Sequence, residues 1–121
     1  MDRYEKLINS FKEHMNENLE VECCGLITND FNYVPCKNLS PYPKNSFVLD
    51  PLSLFEYSNN CWGIFHSHTA LHDVIPSEED KNSAMFKQYK FIMGNKNTFY
   101  TYWIDTLNYL RYKPFTKEDL K

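Results

Sequence analysis

The run Trp62-Gly63-Ile64-Phe65 is short and apolar without a break, and His66-Ser67-His68 follows it at once. A run of that length bounded by polar residues predicts a buried strand. It is expected to be a central strand, so the rest of the chain must supply elements that cover it.

A helix is predicted over residues 2–17, where Tyr4, Leu7, Ile8, Phe11 and Met15 recur at helical spacing between charged residues. Residues 21–28 (VECCGLIT) are short, apolar and β-favouring, and predict a strand ending at the turn Asn29-Asp30. Residues 33–36 predict a partner strand, with Pro35 placing it at an edge or a bulge. Residues 38–45 (NLSPYPKN) read as loop and 46–49 as a further short strand. Asp50-Pro51 opens a helix, because Asp suits the N-cap and Pro the first helical position. A third helix is expected from Ser77 to about Tyr89, then strands at 91–93, 98–104 and 107–112, the last turning near Asp105. Residues 113–121, closing on the charged stretch 117–121, are expected to be a frayed tail. Interleaved helices and strands with no repeat and no linker predict one layered α/β or α+β domain over residues 1–121.

Composition excludes several classes. The chain has 13 Lys+Arg against 16 Asp+Glu, a formal charge of −3, so the basic footprint of a phosphate-backbone binder is missing. With 17% aromatic residues it is not a disordered chain. No apolar run approaches the roughly 20 residues that cross a bilayer, and the charged N-terminus does not resemble an export signal. A cytoplasmic location is expected. Cys23, Cys24, Cys36 and Cys61 lack C-x-x-C spacing and are expected to be small buried hydrophobes rather than disulfides or a zinc knuckle.

Chemistry concentrates downstream of the apolar run. Residues i and i+2 of a strand share a face, so His66 and His68 can point two imidazoles at one metal ion. Asp80, at the start of a predicted helix, can add a carboxylate; two imidazoles and one carboxylate leave a fourth tetrahedral position open, as in a catalytic zinc site. Ser77-x-x-Asp80 also fits a capping box, a purely structural use of the same residues, and the two uses are partly compatible. A general base is needed for hydrolysis, and Glu22 or Glu20 beside the strand around Gly25 can supply it. Glu22 shares a strand face with Cys24, which a metal-facing Glu22 would leave beneath the pocket. Ser67 points to the opposite face as a structural hydrogen-bonding residue. His72 and His14 are expected to be ordinary solvated or helix-face histidines.

Taken together, Glu22, His66-Ser67-His68 and Ser77-x-x-Asp80 resemble the signature of the JAMM (MPN-plus) metallopeptidases. Glu22-Cys23-Cys24-Gly25-Leu26-Ile27 is similar to the E-x-C-G-L segment of prokaryotic members, and Pro76-Ser77-Glu78-Glu79-Asp80 to their P-S-x-x-D. Asn38-Leu39-Ser40 with Phe47-Val48-Leu49-Asp50-Pro51 is similar to the phage tail-assembly branch. The resemblance spans about residues 1–112. The His68–Ser77 gap is eight residues against the family's seven, and Thr69 stands where a proline is common.

The resemblance implies a cytidine-deaminase-like mixed sheet sandwiched by helices. It implies Zn²⁺ on His66, His68 and Asp80, Glu22 as general base and acid, and Ser77 stabilising an oxyanion. Implied partners are a protein or peptide substrate, either a phage tail protein or a ubiquitin-like or sulfur-carrier protein, with neither nucleic acid nor membrane. Phage tail relatives often carry a second, cysteine-peptidase domain, and this chain is expected to be the metallopeptidase half alone. A non-catalytic scaffold of the same fold is the competing expectation. A nucleobase deaminase would need H-x-E and P-C-x-x-C, and neither is present.

Overall fold

The structure, a computed structural model, describes residues 1–69 and 76–121. Helix α1 (Arg3–Asn16) opens on Asp2, whose carboxylate accepts the Glu5 N–H, and buries Leu7, Phe11 and Met15. Strands β1 (Cys24–Ile27) and β2 (Tyr33–Cys36) form an antiparallel pair. Helix α2 (Pro51–Glu56) starts as expected, with Asp50 accepting the Leu52 N–H and Pro51 at its first position. Then come β3 (Gly63–Ser67), α3 (Glu78–Ser83), β4 (Lys90–Asn95), β5 (Thr98–Ile104), β6 (Leu110–Pro114) and a 3₁₀ turn (Lys117–Leu120).

The six strands form one mixed sheet in the order β2-β1-β3-β4-β5-β6. Among the described residues only β3 and β4 run parallel, and their connection contains α3. The strand predicted to be central is central, and all of its residues are buried.

Period-two alternation sorts the side chains onto two faces. On one face, Ile27, Phe65, Ile92 and Phe99 pack with Leu7, Phe11 and Met15 of α1 and with Phe115 and Leu120. Phe11 lies flat on Phe65, the ring centroids 4.0 Å apart. On the other face, Cys24, Leu26, Ile64, Met93 and Tyr102 pack with Leu49, Ala84, Leu54 and Tyr57. A mixed sheet covered on both faces is the expected α/β architecture.

Four expectations are corrected. Residues 46–49 are not a strand: Leu49 makes a single bridge to Asn38, and that segment is tied instead by Asn38, which donates to Ser46 O and accepts from Val48 N. Helix α3 stops at Ser83 rather than near Tyr89, and 84–89 continue in tight turns, because the chain must double back to start β4 alongside β3. The last strand is Leu110–Pro114, two or three residues later than predicted, because Asp105 gathers a longer turn by accepting from Leu107 N, Tyr109 N and Arg111 Nε. The tail is not frayed. Phe115 and Leu120 are buried against α1's face of the sheet, and Tyr4 Oη donates to Phe115 O.

Candidate metal centre

His66 is the next-to-last residue of β3 and points to the Tyr102 face of the sheet; Ser67 points the other way. Ser67 Oγ accepts the Cys23 N–H at 2.9 Å, stitching the approach to β1 against β3. His68 lies just past the strand end, its N–H donating to Gly94 O. The two imidazoles come together as period two requires, with ring centroids 5.1 Å apart.

Helix α3 delivers the third group. Ser77 Oγ accepts the Asp80 N–H at 3.1 Å, and Asp80 Oδ2 accepts the Ser77 N–H at 2.8 Å, so the capping box is formed. The same carboxylate is 4% exposed and faces both histidines. Its Oδ1 lies 3.0 Å from His66 Nε2 and its Oδ2 lies 3.1 Å from His68 Nε2. The cap and the approach of Asp80 to both histidines therefore coexist, and the longer His68–Ser77 connection does not keep Asp80 from them.

The donor set fits a metal ion. One ligand atom from each of His66, His68 and Asp80 lies within 4.8 Å of the others. Ligands near 2.1 Å from a tetrahedral ion stand about 3.4 Å apart, close to the two N···O separations. Despite its 3.0 Å approach to Asp80, His66 Nε2 lacks hydrogen-bond alignment and is a buried polar atom with no hydrogen-bond partner among the described residues. An orphaned imidazole lone pair beside a buried carboxylate is an unfavourable arrangement that a cation would satisfy.

Protonation states agree. Burial pushes His66 below its ordinary range despite Asp80, leaving a neutral ligand. Burial acts to raise Asp80, but the adjoining imidazoles of His66 and His68 and the hydrogen bond from Ser77 N–H outweigh it and hold the carboxyl well below the usual range. A neutral imidazole at His66 and an ionised carboxylate at Asp80 are forms that bind a metal.

Glu22 is outside this donor set but close enough to feel it. Burial lifts its carboxyl to about 7; His68 opposes the shift and Asp80 and Glu79 reinforce it. Its backbone is clamped on both sides, Glu22 N–H donating to Pro43 O and Asn38 Nδ2 donating to Glu22 O. Glu20, the competing base, shows no such burial; it is exposed. Cys24 is fully buried opposite His66 in the β1–β3 register, and burial pushes its thiol to about 12, so it is a floor residue rather than a nucleophile.

Two neighbours of the centre were not predicted. Phe47 stacks on the His66 ring at 4.4 Å and 16°. Tyr102 Oη lies 3.4 Å from His66 Nδ1. With Nε2 facing the donor cluster, a proton on Nδ1 would be donated to Tyr102 Oη, a contact suited to fixing that tautomer. His14 Nδ1 pairs with Tyr33 Oη at 2.6 Å on another flank; His72 lies outside the described residues.

No curated protein matches the chain. Among protein families, the model of prokaryotic homologs of the JAB domain matches residues 4–105. That span includes all six residues on which the centre rests: Glu22, Phe47, His66, His68, Asp80 and Tyr102. By fold, by site and by this match, the chain belongs to the prokaryotic homologs of the JAB domain.

Proposed function

We propose that the protein is a zinc-dependent metallopeptidase that hydrolyses a peptide or isopeptide bond. The observation that carries this reading is the pairing of the two-histidine, one-carboxylate donor set with a buried acid, Glu22, poised near neutral pH. His66, His68 and Asp80 would hold the ion. Zinc bound by three protein ligands supplies Lewis acidity, acidifying a water and polarising the scissile carbonyl.

The chain's own groups do the rest. Glu22, half in its protonated form near pH 7, takes a proton from the attacking water and returns it to the leaving amine. Its clamped backbone holds that carboxyl in place. Ser77 Oγ spends a lone pair on the Asp80 N–H, and its own O–H remains a donor for the developing oxyanion. Tyr102 and Phe47 fix the His66 ring from edge and face.

The proposed substrate is a protein component of a phage tail. Its support is the resemblance of residues 38–40 and 47–51, two segments joined by the Asn38–Leu49 bridge and the Leu39 N–H to Val48 O bond beside the centre. Removal of a ubiquitin-like or sulfur-carrier protein is the alternative within the same chemistry. A cytoplasmic setting is proposed from the four free cysteines; among the described residues no helix is long and apolar enough to cross a membrane.

The test is cleavage of tail-protein and ubiquitin-like fusion substrates by zinc-loaded protein, with Glu22→Gln alongside. Zinc-dependent cleavage lost in the variant supports the peptidase. Bound zinc with no Glu22-dependent cleavage across both substrate sets would instead support a non-catalytic scaffold.

A further inference from the structure

A cleft of about 320 Å³ opens beside the metal centre, between the C-terminal end of α1 and the β4–β5 turn, with His68 in its wall. Lys12, Asn16 and Asn18 line one side, and Lys96 and Asn97 the other. None of its eleven lining residues is acidic, although acids outnumber bases in the chain as a whole. Glu13 of the same helix and Glu17 just past its end line a smaller cleft on α1's other flank instead, with His14 and Tyr33. Among the described residues Lys12 and Lys96, like most lysines of the chain, form no ion pair, so their charges are uncompensated within the protein.

The backbone at Lys96 adds a second observation. Its φ is 56°, in the left-handed region that favours Gly or Asn. Asn97 is the next residue of the same two-residue turn, so the residue type suited to that conformation sits one position away. The turn holds a lysine where asparagine would be less strained, and the lysine lines the cleft.

We infer that this cleft is a substrate subsite for an acidic peptide segment, whose carboxylates are met by Lys12 and Lys96 while the asparagine amides bond its backbone. The inference rests on the peptidase reading and narrows its substrate class. A segment seated there passes His68, so it lies to one side of the bond to be cut. Two cationic amines around an amide-lined groove favour carboxylates through charge complementarity and disfavour basic segments by the same means.

The test is fluorescence anisotropy with dansyl-(Gly-Glu)₄, dansyl-(Gly-Gln)₄ and dansyl-(Gly-Lys)₄. The zinc-loaded protein carries Glu22→Gln so that the peptides stay intact. The Glu peptide is expected to bind about fivefold more tightly than the Gln peptide at low salt, and the preference to shrink as salt screens it. Lys12→Gln with Lys96→Asn should erase the preference without lowering the melting temperature, since Asn relieves the left-handed strain at position 96; Lys12→Arg should keep it. Equal or undetectable binding of the Glu and Gln peptides, or a preference that survives the double substitution, would overturn the subsite. The two readings fail separately. Cleavage without acidic preference removes the subsite and leaves the peptidase. Acidic preference in a protein whose wild type never cleaves leaves the subsite and removes the peptidase.

Discussion

Asp80 answers two demands with one carboxylate: it closes the capping box on Ser77 and faces His66 and His68. Both uses were legible from Ser77-x-x-Asp80, as was the shared face of His66 and His68, because capping and strand periodicity are local rules. Tyr102 and Phe47 were not legible. They reach His66 through the pairing order of β5 with β4 and through the loop held by Asn38, and neither has a local signal. Tyr102→Phe should fold normally and weaken zinc binding about tenfold, measured by competition with a chromophoric chelator, because His66 loses its orienting partner. Glu22 offers a pH test. Burial raises its folded-state pKa to about 7 from an ordinary 4.5, so between those values the unfolded chain releases a proton that the folded chain keeps. Stability is therefore lost as pH rises through that window. In metal-free protein, Glu22→Gln should raise the melting temperature by a few degrees at pH 8 and hardly change it at pH 4, as scanning calorimetry would show.

At the scale of elements, the sequence reading succeeded where hydrophobic period and end signals agree. Helix α1 has both its apolar stripe and the Asp2 cap, and α2 has Asp50-Pro51. It failed where tertiary connections set the ends. Residues 84–89 look helical by composition but must turn back so that Lys90 can enter β4 beside Gly63. The last strand starts late because a single side chain, Asp105, organises the turn before it. The short helix α3 depends on its cap, having only six residues. Ser77→Ala should cost about 1 kcal/mol in denaturant unfolding of the metal-free protein; by loosening Asp80 it should also weaken zinc binding. β1 and β2 approach so closely that a Cβ at Gly25 would lie 2.5 Å from Val34 O and from the Tyr33 ring. Gly25→Ala should therefore destabilise the protein by about 2 kcal/mol or more, read as a lower urea midpoint at constant m-value.

Across the whole molecule, the apolar run at residues 62–65 became a strand buried from both sides, and that burial positions the chemistry. β3 carries His66 into the interior between Phe47 and Tyr102, while His68 emerges at the strand end, where Glu22 and the lysine-flanked cleft adjoin it. The buried end holds His66 neutral and Asp80 ionised, forms fit for a cation. Removing His66, Asp80 or their partners would leave polar groups stranded in a low-dielectric layer, so the centre and the core are one construction. The central claim is that His66, His68 and Asp80 form one metal site. Calorimetric titration of metal-free protein with zinc, beside Asp80→Ala, tests it most directly. The account predicts one zinc per wild-type chain and binding at least about a hundredfold weaker in the variant. The same stoichiometry and affinity in both proteins would contradict it.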